Sequence, residues 1–493
     1  MAEKIYDVAI VGSPSDCWTL ALLLAKQLNM LNPRIVVISF AEGVNEAVIV
    51  SASPSIRRFH QLLGISAKEL VRRSIARPLL GIDISAEEPA RYFFHSYGSS
   101  LAGSAEVDWS IMASLLAYGD FHQAELSLAA TMARAGKFID PERVPHDIYQ
   151  SLGVGLQLHL ASYVDLLRER ALALGVTECR AQTVTPAGDS SATHIDFLRL
   201  DQQRDVAAKL FIDLSSAGLS RDDSESLTSV NITCRQYNGI ENGGGALAHM
   251  RVRGRRFFSR THIESTFCMR LYAFQQEGTQ TQNNDNNFAI NNVRELCLDL
   301  SGVKTEQKSK FDFNDTARWQ GNYVRIPPAV NVPWDMISGY GEAARQNMMH
   351  LLDCYACSAA MSGASEEFNR LSLITTREHQ QLIVIFLLLT AALTSSQVQA
   401  LVEPAIYEDA VHSINLFKSG AVISNYLSPL LTRDQWINLF IGFGVAPMTG
   451  GLCFDSIPLE KIASLAAQRQ TQVKSASDRA PSLDEYINYF LRN

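Results

Sequence analysis

Two short segments combine residue types at spacings that chemistry uses. The first is Val11-Gly12-Ser13-Pro14-Ser15-Asp16-Cys17-Trp18. It joins the apolar run Tyr6 to Val11 to a helical pattern over Thr19 to Leu28, so it occupies the first β-α turn, where a dinucleotide fold carries G-x-G-x-x-G and seats a diphosphate on bare amides. Only Gly12 of those three glycines is present. Pro14 has no N–H to offer, Cys17 stands where close helix-strand packing wants glycine, and Asp16 puts a carboxylate at a helix N-terminus that would otherwise greet phosphate. The second segment is Cys354-Tyr355-Ala356-Cys357, a redox or metal spacing. It sits in a helical pattern, Met348 to Ala360, with no second pair at zinc spacing, and reads as packed cysteines. The 11 histidines form no H-x-x-x-H, His60 reads as packed or capped, and neither G-x-S-x-G nor a Walker loop occurs, which argues against zinc and serine hydrolysis.

The elements that position these residues open as β-α-β. Arg34 to Ser39 is a second apolar strand, and this opening implies a doubly wound parallel sheet with ligands at the carboxyl ends of its strands. Ile56 to Arg73 reads as an amphipathic helix, Arg91 to Gly98 as strand and turn, Leu160 to Leu174 as a long helix, and Leu210 to Asp213 as a strand ending in a Ser-rich turn. Asn238 to Gly245 and Gln275 to Asn292 read as surface loops. After Pro333 helical runs dominate, so a boundary is placed near residue 340, giving an α/β region over 1–340 and a mainly helical region over 341–493. No repeat is apparent.

Composition bounds the partners. The 493 residues are 47% hydrophobic and 19% charged, which excludes disorder as the main state and gives a sizeable core. A net charge of −8, relieved only by small basic patches such as Arg251 to Arg256, argues against nucleic acid and anionic membranes. Eight scattered cysteines and a start without a signal-peptide pattern suggest a reducing cytoplasm. The most apolar run, Leu382 to Leu393, falls short of the ~20 residues that span a bilayer and reads as a buried helix.

A family resemblance runs through several of these segments. Trp18 at the end of the first turn, Pro54-Ser55-Ile56-Arg57-Arg58-Phe59-His60-Gln61-Leu62-Leu63-Gly64-Ile65, Phe93-Phe94-His95-Ser96-Tyr97-Gly98 and Leu210-Phe211-Ile212-Asp213 resemble motifs of the flavin-dependent tryptophan halogenases. Trp436, Gly442-Phe443-Gly444, Pro447 and Ser482 to Ile487 fall where related segments are expected. The resemblance implies a Rossmann-like FAD-binding fold of the flavin monooxygenase type with a mainly helical C-terminal extension. It also implies an activity in which reduced FAD and oxygen oxidise halide to hypohalous acid, which reaches a lysine beside an aromatic substrate.

Carried over position by position, the resemblance meets many departures. The cofactor positions are Gly12, Ser13, Ser39 (where an acid would hold the ribose) and Asp213, whose D-x-[ST]-G turn reads Asp213-Leu214-Ser215-Ser216 and so places a serine where glycine's permissive φ is expected. The G-x-G-E-A-T loop aligns with Ala47-Val48-Ile49-Val50-Ser51-Ala52. Leu79 takes the position of the catalytic lysine, with Arg77 as the nearest cation. Glu378 is the weak match to the accompanying glutamate, or else a helix-start carboxylate. The W-x-W-x-I-P segment reads Asn322-Tyr323-Val324-Arg325-Ile326-Pro327, without either tryptophan. His95 and Tyr97 match the pair that sandwiches the indole, or else are cross-strand packing. The expectation is a degenerate member that does not bind FAD at normal affinity or halogenate, acting as partner subunit of an active homologue, as a homo-oligomer, or as binder of an aromatic small molecule. The alternative is an active FAD-dependent halogenase or oxidoreductase with non-standard contacts that recruits Arg77 or Glu378.

Overall fold

A computed structural model describes residues 5–40, 48–87, 90–98, 123–144, 148–190, 193–216, 218–219, 229–240, 247–253, 256–263, 266–275, 304–313, 315–330, 332–357, 361–424, 427–448 and 458–492. The strands are β1 (Tyr6–Gly12), β2 (Ile35–Phe40), β3 (Ile49–Ala52), β4 (Ala76–Leu79), β5 (Gly81–Glu87), β6 (Ala90–Ser96), β7 (Gly155–His159), β8 (Thr177–Ala181), β9 (Val184–Ala187), β10 (Phe197–Leu200), β11 (Arg204–Val206), β12 (Ala208–Leu214), β13 (Ser229–Ile240), β14 (Leu247–Arg253), β15 (Arg256–Ile263), β16 (Thr266–Gln275), β17 (Lys304–Asp312), β18 (Arg318–Gln320) and β19 (Tyr323–Arg325). The longer helices are α1 (Pro14–Gln27), α2 (Ser55–Leu63), α3 (Ala67–Arg72), α4 (Leu128–Arg134), α5 (Leu160–Ala173), α6 (Glu342–Cys357), α7 (Met361–Thr390), α8 (Pro404–Gly420), α9 (Arg433–Gly442), α10 (Leu459–Arg479) and α11 (Leu483–Arg492).

The central sheet has the order β18-β19-β12-β1-β2-β8, parallel from β19 to β8. Its inner strands are apolar on both sides because both faces are covered. Val8 and Ile10 point to a core built with α1, α5 and α6, whereas Ala9, Val11, Val36 and Ile38 meet Leu198, Leu200 and Val206. That second cover is the antiparallel sheet β9-β10-β11, so among the described residues one face carries helices and the other a β-meander, rather than the helices on both faces that the opening implied.

A second, seven-stranded sheet follows the order β17-β13-β16-β15-β14-β5-β6. Its residues Met250, Val252, Phe257 and Phe274 pack on Leu382 to Leu387 of α7, and Trp436 and Phe440 of α9 complete that core. Leu382 to Leu387 are therefore buried in protein, and among the described residues no helix is long and apolar enough to cross a membrane. A small sheet, β3-β7-β4, lies between the two.

Several boundaries differ from the sequence reading. Ile56 to Arg73 is two helices, because Gly64 takes a left-handed φ of +63 and ends α2. Asn238 to Ile240 belong to β13, paired with Thr266 to Cys268, not to a loop; 241–246 and 276–292 lie outside the described residues. The helical run after Pro333 is present, yet α6 packs in the same core as β1 and α1. Cys354 is buried; the side chain of Cys357 lies outside the described residues, and among those described no cluster of metal-binding side chains occurs.

Candidate functional site

The register of the central sheet brings the expected cofactor-turn positions together: Gly12 lies beside Ser39 on one flank and Leu214 on the other. Gly12 has a φ of +142, and a Cβ there would sit 2.2 Å from the carbonyl carbon of Leu214. Sheet packing alone therefore demands glycine at this position.

The helix that follows is capped from within. Ser13 is the N-cap of α1, its hydroxyl accepting the Asp16 N–H at 3.4 Å and donating to Asp16 Oδ2 at 2.7 Å. The Ala329 N–H donates to the same carboxylate oxygen at 3.0 Å. Asp16 is buried, which pushes its carboxyl up to about 6, although the bonds from Ser13 and Ala329 pull the other way. An internal carboxylate thus stands at the N-terminus of α1, in the place where such a helix end would hold an external anion. The sequence signal for it was Ser13-x-x-Asp16, the spacing of a capping box.

The neighbouring turn is also satisfied internally. Asp213 Oδ1 accepts from the Ser215 N–H at 2.9 Å and its hydroxyl at 2.6 Å, while Oδ2 accepts from the Leu219 N–H at 2.6 Å and the Tyr323 hydroxyl at 2.7 Å. Arg325 lies 3.6 Å from the same carboxylate and donates to the Ser215 carbonyl. The left-handed residue of this turn is Gly218, at φ +73, not Ser216, so the serine there carries no strain. Tyr323 to Arg325 form β19, and Val324 and Ile326 are fully buried, which gives this segment a core role in the central sheet.

The segment at 48–52 forms β3, pinned to the large sheet. The Ile49 carbonyl accepts from Thr261 Oγ1 at 3.2 Å and from the buried Arg270 Nη2 at 2.5 Å. Val48 to Ala52 are buried; Ala47 lies outside the described residues.

Leu79 is fully buried at the end of β4, in one core with Phe93 and Tyr97. Arg77, two residues before it, is 5% exposed and pairs with Asp484 of α11 at 2.5 Å. Glu378 lies midway along the 30-residue α7, which corrects the helix-start reading; half-buried, its carboxyl is pushed up by desolvation. His95 and Tyr97 are both buried, with perpendicular rings 6.2 Å apart. The Tyr97 hydroxyl donates to the Met336 carbonyl at 2.7 Å, while neither ring nitrogen of His95 has a partner among the described residues, and burial lowers its imidazole to about 4. His60, read as packed, is buried and shares a hydrogen bond of 2.9 Å with Tyr163.

Residues 7–221 match the tryptophan halogenase family model. Solved structures similar over nearly the whole chain include BrvH, a flavin-dependent halogenase from Brevundimonas sp. BAL3, at 19% identity, with 99% of each chain covered and a TM-score of 0.77. Xcc4156, a flavin-dependent halogenase from Xanthomonas campestris, is similar at 16% identity, 99% of each chain and a TM-score of 0.80. A tryptophan halogenase from Shewanella frigidimarina is similar at 15% identity, over 99% of this chain and 98% of that one, with a TM-score of 0.74. No curated protein matches the chain. The match to the tryptophan halogenase family model covers 7–221, and the fold is shared from end to end with solved flavin-dependent halogenases.

Proposed function

We propose that this chain keeps the halogenase scaffold without the flavin chemistry: it does not hold FAD at ordinary affinity, does not halogenate, and acts as a non-catalytic partner subunit of an active homologue or as a binder of an aromatic small molecule. The observation that carries the reading is the Asp16 clasp. A carboxylate bonded to Ser13 and Ala329 occupies the helix terminus, and a diphosphate brought there would meet a negative charge instead of free amides. The residues at this turn do not fit the cofactor, and those around it support the same view: Asp213 spends both oxygens on its own turn and Tyr323, and β3 fills its place with apolar side chains. Leu79 offers no amine, and Arg77 is engaged with Asp484.

Titration with FAD, followed by flavin absorbance near 450 nm and by calorimetry, tests the reading. Binding weaker than about millimolar is expected, because lost phosphate and ribose contacts of ~1–3 kcal/mol each multiply. Saturable binding at low micromolar FAD, or purification of a yellow protein, would overturn it. Co-expression with an active homologue tests the subunit role, for which a stable hetero-complex on size exclusion is expected.

A further inference from the structure

The small sheet β3-β7-β4 carries one polar row across an otherwise apolar frame. Its register sets Ser51 of β3 opposite Gln157 of β7, and Arg77 of β4 opposite the same Gln157 on the other flank. Residues directly opposite in antiparallel pairs project to one face with Cβ atoms about 4.5–5.5 Å apart, so the three side chains stand side by side. All three are buried: Gln157 completely, Arg77 at 4% exposed and Ser51 at 5%. Two residues along on the same face, the row is bounded on one side by Ile49, which packs with Ile263 and Cys268, and on the other by Leu79, which packs with Phe93 and Tyr97. The opposite face carries Val50, Ala76, Leu156 and Leu158 into the core shared with α1.

The backbone holds this row in place. β3 is pinned twice, because the Ile49 carbonyl accepts from Thr261 and Arg270 and the Ser51 carbonyl accepts from the Tyr340 N–H at 2.8 Å. The Gln157 amide is oriented by its Nε2, which donates to the Leu247 carbonyl at 3.2 Å; the flipped amide would set oxygen against oxygen there. Arg77 is held by Asp484 at 2.5 Å. Gln157 Oε1 is then a buried acceptor without a donor among the described residues, and the Ser51 hydroxyl, its cross-strand neighbour, is likewise without a partner among them. Two such atoms side by side are unusual in a native fold, where buried polar groups are paired with protein or with ordered water.

The chemistry of the row selects its occupant. Gln157 Oε1 asks for a hydrogen-bond donor, which a halide or other bare anion cannot supply. The neighbouring Arg77 guanidinium disfavours a cation. What fits is a neutral molecule that donates and accepts, and serine's shorter side chain beside glutamine leaves a step suited to one small molecule.

We infer that this row is a binding site for one buried water, which donates to Gln157 Oε1, bonds the Ser51 hydroxyl and so ties β3 to β7 beside Arg77. The site is separate from the loss of flavin chemistry and stands whether or not FAD binds.

A high-resolution crystal structure of the full chain, with a parallel crystal soaked in sodium bromide, tests the assignment. One ordered density peak is expected within hydrogen-bond distance of both Ser51 Oγ and Gln157 Oε1, with no anomalous signal there after the soak. A double-mutant cycle in urea unfolding reads the bridge itself. Ser51→Ala and Gln157→Met should each lower the folding equilibrium constant roughly fivefold or more, the worth of one net hydrogen bond, and the double variant should lose clearly less than the product of the two single losses. No density peak, a direct bond between the two side chains, or a bromide signal in the row would each overturn the assignment. So would single losses that simply multiply. If a variant fails to fold, the density in the parent protein decides alone.

Discussion

Asp16 and Ala329, 313 residues apart in sequence, are joined by a 3.0 Å hydrogen bond that ties the N-terminus of α1 to the loop following β19. The bond closes the carboxyl end of the central sheet with the protein's own charge. The Ser13 hydroxyl completes the clasp, and the macrodipole of α1 favours the anion there. Burial nevertheless outweighs both effects, since the Asp16 carboxyl rises to about 6.

That balance has a pH signature. An acid whose folded pKa is raised binds more protons folded than unfolded between about 4 and 6, so its contribution to stability falls as pH rises through that window. Asp16→Asn keeps an acceptor for Ala329 and Ser13 without the charge. It should raise unfolding free energy by about 1–3 kcal/mol at pH 7.5 and change little at pH 4. Urea unfolding at both pH values checks this, and a loss of stability at pH 7.5 would show that the ionised clasp is a net stabiliser.

Leu79 takes the position at which the resemblance to the halogenases expects an amine. It is fully buried beside Phe93 and Tyr97, so a charge introduced there has no water and no described counter-ion in its core. Leu79→Lys should destabilise by about 3 kcal/mol or more and yield no chlorinated tryptophan when supplied with reduced flavin and chloride. Thermal melting and product chromatography are the measurements. A stable variant that chlorinates would mean that one side chain separates this chain from an active enzyme.

The parts of this picture legible in sequence are those with local period. Strands β1 and β2 and helix α1 carried apolar runs of the right lengths, and the segments around His60, His95 and Leu210 carried the family resemblance. The strands from β13 to β17 were not legible: Asn238 and Gly239 look like a loop and are fixed as strand only by pairing with Cys268 and Phe267. Gly64 hid a helix break inside an amphipathic pattern, because its left-handed φ shows only in three dimensions. The clasp itself was half visible. Asp16 could be read as hostile to phosphate, but its partner Ala329 lay far along the chain, and nothing local pointed to it.

The ion pair between Arg77 and Asp484 is one tie on α11, beside the buried Leu483, whose N–H donates to the Gly136 carbonyl, and the Phe138–Tyr486 ring contact. Arg77 is 5% exposed and Asp484 73% exposed, so solvent screens the pair from one side, and its worth is well below that of a fully buried one. Asp484→Ala should loosen the C-terminal helix by about 1 kcal/mol or less while leaving the central sheet unaffected. Hydrogen exchange over 483–492 should quicken severalfold while β1 and α1 stay protected. Uniform quickening across the chain would mean that α11 unfolds only with the whole protein.

His95 offers the sharpest choice between inherited function and packing. Its ring is fully buried, meets Tyr97 edge-on, and leaves both nitrogens without a partner among the described residues. Burial lowers its pKa to about 4, so the unfolded chain binds more protons than the folded one between about 4 and 6.5. Its stabilising share is complete above that window and is lost as pH falls through it. His95→Phe removes both the unpaired nitrogens and the titration; the variant should be more stable than the parent by about 1–2 kcal/mol at pH 7 and by more at pH 5. Unfolding curves at the two pH values measure the difference. If the variant is instead less stable at both, the ring nitrogens have donors or water that hold them, and His95 is the first residue to examine for a retained ligand in the aromatic strand.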